Sequence, residues 1–137
     1  MKTIDDVKMP RRSTVRSAGY DLFAPHEIIV YPGIWTTVDT GVYFDGTEDC
    51  GFDNWVFKIY PKSGLSTKHG MKIKNTVPII DADYRDTIKV SISSEAMFTI
   101  EKDEKYVQGI FQPFGVLMDE IPPTEERKGG HGSTGRF

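Results

Sequence analysis

The chain reads as an all-β domain of the sandwich, jelly-roll or barrel kind, and three observations predict it. Val, Ile and Thr number 10, 13 and 12, and Phe, Tyr and Trp add 8, 6 and 2; these types suit a pleated, half-buried surface. The strong helix formers Ala and Leu number only 4 and 3. The 13 glycines and 8 prolines are scattered, cutting the 137 residues into short runs.

The runs follow in order. Glu27 to Val30 is a short apolar strand closed by Tyr31-Pro32-Gly33. Trp35 to Thr40 alternates loosely and ends at Gly41; Val42 to Phe44 is a short strand before the loop that starts at Asp45. Trp55 to Tyr60 alternates large apolar residues with others and stops at Pro61. Ser63 to Lys68 is expected to make one helical turn, and no amphipathic helix is evident. Met71 to Thr76 alternates around Ile73, and Val77 to Ile80 is apolar. Thr87 to Ser93 places Ile88, Val90 and Ile92 on one face at period two. Val107 to Val116 is a longer apolar stretch that Pro113 interrupts. After it the character changes: the residues from Asp119 on carry two prolines, a charge run and four glycines. They are expected to form a flexible arm, 119–137, beside a β core, 1–118.

Composition also excludes functions. With 17 basic and 20 acidic residues the net charge is −3, unsuited to general nucleic-acid binding. One cysteine, Cys50, permits neither an intrachain disulfide nor a multi-cysteine zinc site, and its acidic surroundings do not favour a thiolate nucleophile. His26, His69 and His131 are too scattered for a metal cluster. There is no signal-peptide pattern and no run of membrane-spanning length, so a cytoplasmic location is expected.

Four segments carry chemistry. The glycine-rich stretch Gly129 to Gly135, with Ser133 and Thr134 and flanked by Arg127, Lys128 and Arg136, lets successive amides converge on an anion. Pro61-Lys62-Ser63-Gly64 follows a strand and offers an ammonium, a hydroxyl and exposed amides to phosphate oxygens. Asp81-Ala82-Asp83-Tyr84-Arg85-Asp86 sets three carboxylates after an apolar run, one of them placed to act as a general base. Ala18-Gly19-Tyr20-Asp21 is a small-residue bend before an aspartate. Taken singly, each also reads as an ordinary turn or tail.

Taken in order, they resemble the five motifs of the trimeric dUTPase family, over nearly the whole chain. These are Ala18 to Ala24; Pro61 to Leu65 with Lys68-His69-Gly70; Asn75 to Arg85; Tyr106 to Ile110; and Gly129 to Gly135. The resemblance implies a β jelly-roll homotrimer whose C-terminal arm closes over sites formed by other subunits. It implies hydrolysis of dUTP to dUMP and pyrophosphate with Mg²⁺, Asp81 being the base that activates water against the α-phosphorus. Asn75, Ile79 and Ile80 would read uracil, and Tyr84 would stack under deoxyribose and exclude a 2′-hydroxyl. Lys62, Ser63, Gly64, Gln108, Arg127, Gly132 and Ser133 would serve the phosphates, Lys89 would face the substrate, His131 would stack on the base, and Asp21 would act through the metal's water. The family usually has Arg at Lys62, Gly at Pro78 and Asp86, and Phe at His131, and its arm arginine stands where Glu126 does. Two other readings remain: a dUTPase-like module that regulates a protein partner, and a dCTP deaminase, whose glutamate base is missing here.

Overall fold

A computed structural model of the chain describes residues 1–130 and 134–136. The elements run β1 (Lys2–Thr3), β2 (Tyr20–Phe23), β3 (Ile28–Val30), β4 (Thr36–Asp39), β5 (Val42–Tyr43), a 3-10 turn (Thr47–Asp49), β6 (Trp55–Pro61), α1 (Ser63–His69), β7 (Lys72–Ile73), β8 (Ile79–Asp81), β9 (Lys89–Ser93), β10 (Phe98–Ile100) and β11 (Lys105–Pro113). The architecture is an all-β jelly roll with one short helix, as the composition predicts.

The largest sheet has the order β2-β11-β6-β8, a second has β4-β9-β7, and two-stranded ribbons pair β1 with β5 and β10 with β3; every ladder is antiparallel. The alternation in the sequence explains the packing. Trp55, Phe57 and Ile59 of β6 and Val90 and Ile92 of β9 all point into one core with Leu22, Phe44, Ile88, Tyr106 and Val107. Phe44, Phe57 and Phe111 pack edge-on or tilted, with centroids 4.7 to 5.6 Å apart, geometry that aromatic quadrupoles favour.

Several elements differ from the sequence reading: β1 and β10 were not in it, and the Met71 to Thr76 run keeps only Lys72–Ile73 as strand. The segment from Ala18, read as a small-residue bend, runs into a strand at Tyr20–Phe23, where Asp21 pairs opposite Gln108 and Tyr20 opposite Gly109 of β11. The helical turn at Ser63 extends to two turns, which Gly70 ends in the left-handed conformation with its N–H on the Ser66 carbonyl. β11 begins at Lys105 rather than Val107 and ends at Pro113, which cannot donate to a further ladder. A bulge at Tyr106 turns Lys105 and Val107 out of simple alternation.

β6 also sets the geography of the site. Asp81 pairs opposite Val56 near the start of β6, whereas Lys62 follows its end. At about 3.3 Å per residue these two positions lie about 20 Å apart.

The Tyr106 hydroxyl is fully buried and has no hydrogen-bond partner among the described residues. Leaving such a group unsatisfied costs about 1–3 kcal/mol. Tyr106→Phe is therefore expected to raise the urea midpoint; a fall would mean that the hydroxyl has a partner in the assembled protein.

Candidate active site

Two clusters of polar residues occupy opposite ends of β6. The first surrounds Asp81, the last residue of β8. A cavity of about 210 Å³ is lined by Ile79, Ile80, Asp81, Tyr84, Lys89, Arg127, Gly130 and Thr134. Ile80 is buried and anchors the strand, while Ile79 is 55% exposed and offers an apolar surface. Tyr84 is buried; its amide donates to the Asp81 carbonyl at 3.0 Å and its hydroxyl to the Thr87 carbonyl at 3.3 Å. Burial first, then the carboxylates of Asp86 and Asp39, push this phenol above its usual range, so it stays neutral. Lys89 approaches the Asp39 carboxylate at 3.7 Å and the Thr87 carbonyl at 3.3 Å. Asn75 is exposed on the adjoining turn, where it lines a neighbouring space with Lys74, Lys89 and Ser91. The next residue, Thr76, takes φ +66°, a strained conformation for a β-branched side chain.

Arg127 joins this cluster from the arm of the same chain. Its Nη2 lies 2.5 Å from Asp81 Oδ2 and its Nε 2.8 Å from Asp83 Oδ1, with the guanidinium 5.9 Å from the Tyr84 ring centroid. Asp83 had no assigned role in the sequence reading; it is the second half of this clamp. The Asp81 side chain is nevertheless 53% exposed, so solvent reaches it.

The second cluster surrounds Asp21, which is 2% exposed. Its Oδ1 accepts from Lys62 Nζ at 2.8 Å; its Oδ2 accepts from Ser13 Oγ at 2.6 Å and lies 3.2 Å from Lys105 Nζ. Burial opposes ionisation of this carboxyl, yet the hydrogen bonds from Lys62, Ser13 and Lys105 outweigh it and hold it below the usual range. Ser63 and Gly64 open α1 beside Lys62, and nothing lies within 4 Å of where a Gly64 side chain would start. Gln108 donates to the Pro61 carbonyl at 3.3 Å. Lys105 and Ser13 escaped the sequence reading, since a lone lysine at a strand start carries no local pattern. His131, Gly132 and Ser133 lie outside the described residues.

The chain thus divides its candidate residues into a small cavity with a solvent-accessible carboxylate and, at the other end of β6, a cluster of two lysines around a buried carboxylate. A dUTPase family profile matches residues 5–135. The chain belongs to the dUTPase family. The dUTP nucleotidohydrolase of Nautilia profundicola is 35% identical, covering 98% of this chain and 96% of its own. The structure of the Streptococcus mutans dUTPase superposes with a TM-score of 0.70 at 27% identity, over 87% of this chain and 98% of its own. A point-mutant dUTPase from phage phi11 of Staphylococcus aureus, whose structure details the coordination of a structural Mg(II) ion, shares the fold with a TM-score of 0.68 at 20% identity, over 90% of this chain and 94% of its own. Within this dUTPase fold Asp81, Tyr84, Ile79, Ile80 and Lys89 share one cavity, whereas Asp21, Lys62, Ser63, Gly64 and Gln108 lie at the far end of β6.

The Asp21 cluster sets an acid limit on stability. A carboxyl whose folded-state pKa is lowered contributes fully above its ordinary value of 3.8, and that contribution is lost as pH falls through the lower folded value. Asp21→Asn is expected to cost about 1–2 kcal/mol at neutral pH and to flatten the stability profile below about pH 4. Denaturant melts at pH 3, 5 and 7 check this, and parallel profiles for the two proteins would refute it.

Proposed function

We propose that this dUTPase-family chain hydrolyses dUTP to dUMP and pyrophosphate, with Asp81 as general base. The observation that carries this is the position of Asp81: half exposed at the end of β8, on the rim of a cavity floored by Tyr84 and walled by Ile79 and Ile80. A water held by Asp81 Oδ gives up a proton to the carboxylate as its oxygen attacks the α-phosphorus. The bond from the α-phosphorus to the bridging oxygen breaks, and pyrophosphate leaves. Ile79, Ile80 and the Asn75 turn read the uracil edge, since a wrong base leaves buried polar groups unpaired. Tyr84 lies under the deoxyribose.

The two clusters, about 20 Å apart along β6, are too distant to grip one nucleotide within a single chain. This separation supports a homotrimer in which the pyrimidine slot of one subunit meets the Lys62, Ser63, Gly64 and Gln108 end of another. Residues 119–137 then act as the closing arm: Arg127 and the glycine-rich segment with His131, Gly132 and Ser133 cover the phosphates and exclude bulk water. The hairpin carries Asp81 and no glutamate, which favours dUTP hydrolysis over deamination of dCTP.

Asp21 does not fit as a direct Mg²⁺ ligand, since both its oxygens already accept from Lys62, Ser13 and Lys105 and the described residues contain no cluster of three metal-capable side chains; its part toward the ion runs through the ion's water. We take magnesium dUTP as the substrate, the ion entering on the phosphates with its own water. The test is pyrophosphate release from dUTP, UTP, dTTP and dCTP with Mg²⁺ and with EDTA. Turnover of dUTP at least a hundredfold above the others is expected; equal turnover of dCTP would refute the uracil-reading hairpin.

A further inference from the structure

Arg127 faces two tasks that exclude each other. In the proposed reaction its guanidinium covers the substrate's phosphates, yet its Nη2 lies 2.5 Å from an oxygen of Asp81, the base that has to be free to take a proton. Its second partner offers a way out. Arg127 Nε donates to Asp83 Oδ1 at 2.8 Å, and the proposed chemistry leaves Asp83 unused.

The turn that carries Asp83 is pinned on both sides. The Tyr84 amide donates to the Asp81 carbonyl at 3.0 Å, Arg85 donates to the Ala82 carbonyl at 2.6 Å, and Tyr84 itself is buried. Asp83 stands between two spaces that flank the arm: one of about 340 Å³ shared with Asp53, Asn54 and Phe114, and one of about 700 Å³ shared with Thr124, Glu125 and Glu126. The Arg127 side chain is 12% exposed, whereas Asp81 and Asp83 are each 53% exposed, so the arginine is the covered member of the cluster. The hydrogen bond to Asp83 is the first cause that holds this guanidinium above its ordinary range, ahead of the charge of Asp81. Three residues on, a side chain on Gly130 would run into the Asp86 carboxylate, so the arm meets the same turn at a second point.

We propose that Asp83 is a positioning residue that holds the arm through Arg127 Nε, so that the other end of the guanidinium can leave Asp81 for the substrate's phosphates while the arm stays docked. A guanidinium is a planar fork of N–H donors, and the bond to Asp83 uses only one of them. As nucleotide enters, the fork pivots about that bond; Asp81 loses its cation and is released to hold the attacking water. This rests on the dUTP-hydrolysis reading above and adds a residue to it.

The test uses the full chain as wild type, Asp83→Ala, Arg127→Gln and the double variant. Without nucleotide, trypsin cleavage between Lys128 and Gly129 reports how often the arm leaves its post. Asp83→Ala is expected to speed this cleavage about fivefold, the upper range for one partly exposed ion pair. Calorimetry with dUpNHpp, the analogue whose imido bridge resists hydrolysis, is expected to show binding weakened about fivefold in Asp83→Ala, with dUMP binding within about twofold of wild type. Because Asp83 acts through Arg127, the double variant should bind dUpNHpp no more weakly than Arg127→Gln alone. Unchanged cleavage or unchanged dUpNHpp affinity in Asp83→Ala, or losses that add in the double variant, overturn the proposal. Equal weakening for both nucleotides with a lowered melting temperature also overturns it and makes Asp83 structural. Asp83→Asn, which keeps the side-chain shape, carries the same comparison if the alanine protein does not fold. Failure of the wild type to bind dUpNHpp or to hydrolyse dUTP overturns the underlying reading instead, while the cleavage assay still decides whether Asp83 docks the arm.

Discussion

Asp81→Asn is expected to lower kcat by about 10²–10⁴, the usual worth of a positioned general base, with KM changed only a few-fold. The amide keeps the shape of the carboxylate and can still hold a water, but it cannot take that water's proton. Asp81 is half exposed at a strand end, and its hydrogen-bonded neighbour in β6, Val56, is bound through backbone, so folding is expected to survive. The variant should bind dUpNHpp close to wild-type affinity, and its single-turnover rate should show the loss. Retained kcat in Asp81→Asn would remove Asp81 as the base and turn attention to Asp83, two residues on.

Gly109→Ala is expected to destabilise the fold by about 3 kcal/mol, at the upper end of ordinary overpacking. Gly109 lies mid-strand in β11, opposite Ile59 of β6 and Tyr20 of β2. A Cβ there would lie 1.8 Å from Cζ of Phe57 and 2.2 Å from its Cε1, far inside van der Waals contact. Phe57 is fully buried, with the rings of Phe44 at 5.2 Å and Phe111 at 4.7 Å, so it has no room to turn aside. A cycle with Phe57→Leu isolates this contact: the double variant should be more stable than the sum of the single losses by over about 1 kcal/mol. Additive losses would show that the strain comes from the backbone and not from the ring.

The strands that alternate cleanly, such as β9 with Val90 and Ile92 inward, were legible because one face of each is buried. β2 was not: at four residues, with Asp21 buried in its middle, it has no alternation to read, and only its partner β11 defines it. The same limit applied to the site. Asp81 and Tyr84 share one short segment, so their relation is local. The meeting of Ser13, Asp21, Lys62 and Lys105 joins four separate segments and exists only after the sheet has closed. The clamp of Arg127 on Asp81 and Asp83 spans more than 40 residues of chain, and no spacing rule announces it.

In the homotrimer proposed above, the length of β6 makes activity a shared property. A chain lacking its base, Asp81→Asn, still presents an intact phosphate end, and a chain lacking that end, Lys62→Met, still presents its carboxylate. Refolded together, two such inert proteins should cross-complement, each repairing the defect of its neighbour, with recovered turnover that vanishes on dilution as the assemblies come apart. On the proposed assembly a single polypeptide is half a catalyst twice over, and the unit on which selection acts is the company it keeps.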